Sequence, residues 1–158
     1  MEIKLVAEVY RIGISIGFLT IKGMIKWADT IIDNLDSPPY EIIELSLSTK
    51  EKQDEICLKL MMVKGEIDNS LPPKIILGLL SEYLNATKDI SSVISMLDKL
   101  IKYLPISNEW IELEIHFLSD GFYLAEQGIG DIEEVFNNLK KFLNQFVDNN
   151  KYLLMLFN

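Results

Sequence analysis

The sequence predicts an all-α protein, organised as a single domain over residues 1–158 and built as a multi-helix bundle or short helical array of about eight helices. Apolar residues recur with the 3.6-residue period of a helix along most of the chain. Ser, Thr or Asp precedes these stretches at N-cap positions, and Gly or Pro separates them. Hydrophobic residues make up 49% of the chain and charged residues 25%, which is the balance of a packed globular protein.

The first predicted helix carries one narrow polar stripe. Lys4, Glu8 and Arg11 follow one another at i, i+4 and i+7, and nearly every residue between them is apolar or glycine. This pattern indicates a helix that is buried on most of its sides. Apolar residues also alternate with small ones over residues 12–16, as in a strand, and two nearby glycines lower the helix propensity. A strand over these residues is therefore kept as an alternative to the helix.

Two further helices are predicted before residue 48. Thr20 can cap a helix whose apolar face recurs from Ile21 to Leu35. Ser37 and the two prolines after it combine a cap with proline in the first turn. A short third helix is therefore expected over residues 40–47.

The middle of the chain holds the next two helices. Ser48 and Glu51 have the spacing of a capping box, which predicts a fourth helix running to about Val63. Gly65 is well placed to stop that helix. Ser70, ahead of two more prolines, predicts the start of a fifth.

Three helices complete the predicted fold. Asp89 caps the sixth, and Pro105 ends it because proline cannot continue a helix. Ser107 opens a seventh helix that runs to about Glu126 and ends at two nearby glycines. Asp131, with an acidic residue three positions later, opens the eighth.

The charge of the chain favours some partners over others. There are 24 acidic and 15 basic residues, for a formal net charge of −9, and Arg11 is the only arginine. Such a chain repels phosphate backbones and lacks the arginines that usually grip them, so no nucleic-acid partner is expected. A cationic protein partner fits this charge, although an acidic surface also serves plain solubility.

Cysteine content and hydropathy bear on the compartment. Cys57 is the only cysteine, which leaves no intramolecular disulfide and fits a reducing, cytoplasmic setting. The apolar run at residues 12–21 is too short to span a bilayer and lacks the features of a signal peptide, so no membrane association is expected. The apolar segment 152–157 is expected to dock in a groove of the core, with a partner-binding tail as the alternative.

Two groups of polar residues are candidate partner-binding sites. The first group surrounds the proline break after the second helix and comprises Asp29, Asp33, Asp36, Glu41 and Glu44. The second follows one stripe of the seventh helix and comprises Glu109, Glu112, His116 and Asp120. An ordinary solvated face explains either group, and a carboxylate in a first helical turn also complements the helix dipole. A docking patch for Lys and Arg side chains is the functional alternative.

No motif of a known chemistry occurs. The sequence has no phosphate-binding loop, nucleophile elbow, zinc-binding histidine pair or EF-hand loop. We therefore predict no catalytic residue, no metal site, no cofactor and no enzymatic activity. Glu112, His116 and Asp120 are successive i, i+4 neighbours that could share a metal, yet metal sites in helical bundles usually draw ligands from several helices. A metal or enzymatic role for this stripe is kept as an alternative.

The two tryptophans are expected to belong to the core. Trp27 and Trp110 both lie on amphipathic helices, where tryptophan is more often buried than exposed. A tryptophan exposed beside an acidic cluster would instead be an anchor for a protein partner.

One segment carries a resemblance. The run Trp27-Ala28-Asp29, followed by SPPYEIIELS at residues 37–46, resembles a segment of uncharacterised helical bacterial proteins, some of which are similar to immunity proteins of contact-dependent inhibition systems. The resemblance implies a small acidic protein that binds and blocks a cognate basic, nuclease-like toxin domain, since toxin nucleases are commonly basic. We thus expect a non-enzymatic, protein-binding module of the immunity type, with a helical adaptor as the alternative.

Overall fold

The computed structural model describes residues 3–151, and within this range the chain forms eight α-helices, three short 3-10 segments and no β-strand. The all-α prediction is confirmed. The helices are α1 Ile3–Ser15, α2 Ile21–Asn34, α3 Tyr40–Ser46, α4 Gln53–Met62, α5 Leu71–Thr87, α6 Ile90–Leu100, α7 Glu109–Glu126 and α8 Ile132–Asn144. The 3-10 segments are Ile101–Tyr103, Ile106–Asn108 and Val147–Asn150. The strand alternative for residues 12–16 is wrong, because α1 continues to Ser15.

The helices gather into two compact units. The first unit holds α1 to α4, and the second begins at Asn69 and holds α5 to α8. The assignment of residues 1–158 to one domain stays a prediction. The predicted docking of segment 152–157 lies outside the described residues. None of the helices described between residues 3 and 151 combines the length and the hydropathy that crossing a bilayer requires.

In the first unit, α1 packs on α4, α2 packs on α3, and α3 packs on α4. The predicted polar stripe of α1 is present: the Glu8 carboxylate accepts from Lys4 Nζ at 2.9 Å and from Arg11 Nε at 2.7 Å. Tyr10 and Trp27 lie in the core with ring centroids 5.5 Å apart. Burial raises the pKa of Tyr10, so its hydroxyl stays protonated.

Three of the predicted N-caps are confirmed. The side chains of Thr20, Asp89 and Asp131 accept hydrogen bonds from backbone N–H groups in the first turns of α2, α6 and α8, at 3.0, 3.1 and 2.9 Å. Each bond satisfies a donor that the helix itself leaves without a partner.

The predicted N-caps of α3, α4 and α7 are wrong, although α3 begins at Tyr40 as predicted. The N-cap of α7 is Asn108 rather than Ser107. The N-cap of α3 is Pro39 rather than Ser37. Helix α4 begins after Lys52, whose backbone N–H donates to the Glu55 carboxylate, rather than at Ser48. The Ser48 hydroxyl instead donates to the carbonyl of Glu44, one turn back, and its oxygen accepts from Lys59 Nζ at 3.3 Å.

In the second unit, α5 is the most buried helix and packs against α6, α8 and the 3-10 segment Val147–Asn150. Gly78 lets that segment approach closely, since a Cβ atom there would lie 2.5 Å from the carbonyl oxygen of Phe146. Asn150 Nδ2 donates to the carbonyl of Gly78 at 3.2 Å, and Ser81 Oγ donates to Asn144 Oδ1 at 2.9 Å. These contacts fix α8 on α5.

Candidate functional site

Helix α7 is acidic along its whole length. Its 18 residues include five carboxylates and no lysine or arginine. We call the five carboxylates of α7 together the α7 acidic face: Glu109, Glu112, Glu114, Asp120 and Glu126. With about 3.6 residues per turn, they are spread around the solvent-exposed part of the helix and do not form a single stripe. Every one of these side chains is exposed or partly exposed. Since opposite charges within the helix cannot neutralise it, α7 presents a negative field to solvent.

The opposite side of α7 is anchored in the second unit. Ile111, Ile115 and Leu118 are buried, at the i, i+4, i+7 spacing of one helical face. The helix ends where Gly128 adopts a positive φ of 80° and the Ile129 N–H bonds the Leu124 carbonyl at 2.8 Å. This Schellman arrangement stops α7 firmly, so the acidic face has a defined length.

His116 has one carboxylate neighbour among its predicted partners. Its Nε2 lies 3.5 Å from Glu112 Oε1, and the two side chains are 56% and 43% exposed. Among the described ion pairs none joins His116 to Asp120. Within residues 3–151 no three His, Cys, Asp or Glu side chains are grouped so that they could hold a metal ion. His116 and Glu112 thus form a solvent-exposed pair.

The first predicted acidic group lies on α2, α3 and the loop between them, in the first unit. Asp29 accepts a short hydrogen bond from Ser46 Oγ, which joins α2 to the end of α3. Asp33 and Asp36 are exposed, whereas Glu41 and Glu44 are partly buried. Asp29 thus has a structural contact, and Glu41 lies in the first turn of α3, where a negative charge is stabilising.

The tryptophans differ from each other. Trp27 is 3% exposed, as predicted for a core residue. Trp110 is 45% exposed, so its assignment to the core is wrong. One side of its ring stacks on Phe146 at a centroid distance of 5.9 Å, which leaves the rest free for a partner. Because Trp110 directly follows Glu109 on α7, it is an exposed tryptophan beside an acidic cluster. This is the arrangement expected of an anchor for a protein partner.

Sequence reasoning missed a groove between α7 and α8. Two adjoining pockets form it, and both are lined by Phe117, Leu118 and Asn138. Exposed apolar side chains continue along α7, with Trp110 at one end and Leu124 at the other. The available signal was the seven-residue spacing of Trp110, Phe117 and Leu124, which departs from the buried stripe of the same helix.

Comparison of the chain with protein-family models, with curated proteins and with solved structures finds no match. The charge, exposure and packing of the chain's own residues therefore carry the inference of function.

Proposed function

We propose that the protein is a non-enzymatic binding module of the immunity type, which neutralises a cationic toxin domain by covering it with the α7 acidic face. The observation that carries the proposal is the composition of this face: five carboxylates without a basic residue, interleaved with exposed Trp110 and Phe117. Side chains of these two kinds serve different stages of binding.

The carboxylates would govern the encounter. A concentrated negative field raises the association rate with a basic protein, and this effect weakens as salt screens the charges. The apolar side chains would govern the lifetime of the complex, because aromatic anchors that become fully covered contribute most of the binding free energy. Trp110 is the strongest anchor of the set, since the Phe146 ring already holds it in place.

A genetic and a biochemical measurement together test the proposal. Each gene flanking this one is expressed in a susceptible host with and without the protein. We expect one flanking product to arrest growth, co-expression to relieve the arrest, and the purified pair to form a complex at low ionic strength. If no flanking product is toxic, or if relief occurs without a complex, the proposal is wrong.

A matched pair of variants locates the surface. The α7 variant carries Glu112→Gln, Glu114→Gln and Asp120→Asn, and the α2–α3 variant carries Asp33→Asn, Asp36→Asn and Glu44→Gln. Each removes three negative charges, which changes the formal net charge from −9 to −6. The α7 variant should lose the relief of toxicity, and the α2–α3 variant should keep it. Equal loss in both would mean that only the net charge matters.

The groove supports a second candidate, a helical adaptor. An apolar groove on a folded chain is typical of a site that binds a segment of another chain. An adaptor would bind a flanking product that is not toxic. The same growth assay therefore separates the two functions.

A further inference from the structure

The groove between α7 and α8 extends along most of both helices. Trp110, Phe117 and Leu124 follow one another at seven-residue intervals along its α7 side. At a rise of 1.5 Å per residue, the first and last lie about 21 Å apart along the helix axis. Along α8 the lining residues Glu134, Val135, Asn138, Lys141 and Phe142 recur at helical spacing, and its caps Asp131 and Gln145 continue the series. The groove thus runs for about four helical turns.

The floor of the groove is apolar and has room. Leu118, Val135 and Phe142 are buried beneath it, and the two pockets have volumes of about 250 and 460 Å³. Gly121 widens the middle, because a Cβ atom there would meet only Val135 Cγ2, at 3.9 Å. Two adjacent helices with such a furrow accept the apolar face of a third helix, whose side chains enter at i, i+3, i+4 and i+7.

The rim of the groove selects the charge of the occupant. It carries three carboxylates, those of Glu114, Asp131 and Glu134. Among the lining residues the one basic side chain is that of Lys141. The other carboxylates of the α7 acidic face lie on the same helix, and α7 supplies no lysine or arginine. A helix with an acidic polar face would be repelled here, whereas a basic polar face would be attracted.

We propose that the α7–α8 groove binds an amphipathic helix of a partner protein, with its apolar face on Phe117 and its Lys and Arg side chains toward the acidic rim. This inference rests on the proposed function only in taking the α7 acidic face as an interface. It adds that the segment with which the partner contacts this protein is an amphipathic helix.

The probe is a synthetic peptide of about 18 residues, with Leu at helical i, i+3, i+4 and i+7 positions and Lys elsewhere; a second peptide carries Glu in place of Lys. Trp110 reports binding, because its half-exposed ring would become covered and its emission would shift to shorter wavelength. Trp27 is buried and gives a constant background. The Trp110→Phe variant establishes the origin of the signal.

We expect the Lys peptide to bind at least about tenfold more tightly than the Glu peptide. Phe117→Ser should weaken binding about tenfold or more, since it removes a central anchor. Leu113→Ser is the matched control: Leu113 is 62% exposed and Phe117 is 64% exposed, but only Phe117 lines the groove. Gly121→Leu places a larger side chain in the groove and raises helix propensity, and far-UV circular dichroism checks that the variant is folded before its loss of binding is interpreted.

Equal affinity for both peptides, or equal effects of Phe117→Ser and Leu113→Ser, would overturn the inference. Self-association that Phe117→Ser abolishes would assign the groove to a second copy. Tighter peptide binding after Ser replaces Leu154 and Leu156 would assign it to the chain's own segment 152–157.

If the peptide binds as expected while no flanking product is neutralised, the groove inference stands and the immunity proposal fails. If a toxin is neutralised and Phe117→Ser has no effect on binding of the peptide or the toxin, the immunity proposal stands and the groove inference fails.

Discussion

Two glycines in the middle of helices should respond to the same substitution with opposite signs. Gly78 lies in α5 and Gly121 in α7, both in the second unit. Alanine at either position raises helix propensity by about 1 kcal/mol. At Gly121 the added methyl group has only one neighbour, Val135 Cγ2, at an ordinary 3.9 Å. Gly121→Ala should therefore stabilise the protein by about 0.5–1 kcal/mol.

At Gly78 the methyl group would lie 2.5 Å from the carbonyl oxygen of Phe146 and closer still to Asn150 Oδ1. The 3-10 segment must then move away from α5, which strains the packing and weakens the hydrogen bond from Asn150 to the Gly78 carbonyl. Overpacking of this kind costs about 1–3 kcal/mol, and a lost hydrogen bond about 1 kcal/mol. After the propensity gain is subtracted, Gly78→Ala should destabilise by about 1–3 kcal/mol.

Urea unfolding of the wild type and the two variants, followed by far-UV circular dichroism, measures both effects. The midpoint should rise for Gly121→Ala and fall for Gly78→Ala. A higher midpoint in both variants would refute the close approach of Val147–Asn150 to α5, because propensity alone would then govern both sites.

Three other local features make measurable predictions. Thr20→Ala should lower the free energy of unfolding by about 1 kcal/mol in urea titrations, because the Gly23 N–H loses its cap. Lys88 adopts a left-handed φ of 55°, so Lys88→Gly should raise the melting temperature, with a gain of up to about 1 kcal/mol. Hydrogen bonds from Ser92 lower the pKa of Asp89, which an NMR titration should place below the ordinary value of an aspartate, with Ser92→Ala raising it. Stability from Asp89 is then present above its unfolded-state pKa and lost as pH falls through the lower folded-state pKa; an unshifted Asp89 would contradict this cap.

The helices were predictable because their determinants are local. The period of the apolar residues and the caps at Thr20, Asp89 and Asp131 are properties of neighbouring residues, and the structure contains all three caps. The end of α7 was equally predictable, because the position after a helix often adopts a left-handed backbone conformation that favours glycine, here Gly128.

The start of α4 was not predictable in this way. Ser48 and Glu51 have capping-box spacing, but each finds another partner that depends on tertiary packing or on the preceding helix. The Ser48 hydroxyl donates to the Glu44 carbonyl, and the Glu51 carboxylate pairs with Lys59. Sequence spacing states which bonds are possible and not which of the competing bonds forms.

The candidate site was predictable in part. The placement of Glu109, Glu112, His116 and Asp120 on one side of α7 follows from their spacing, and the structure leaves these side chains exposed or partly exposed. The groove was not predictable, since it requires the α8 residues to lie beside α7. The exposure of Trp110 was also not predictable, because tryptophan side chains are generally more buried than exposed.

The salt dependence of binding tests the central claim most directly. The dissociation constant of the Lys peptide is measured between low and high ionic strength for the wild type, the α7 variant and the α2–α3 variant. We expect affinity to fall with salt in the wild type and the α2–α3 variant, and the α7 variant to bind more weakly with a distinctly smaller salt dependence. A salt dependence that is the same in all three proteins would contradict the account, because the carboxylates of α7 would then have no particular part in recognition.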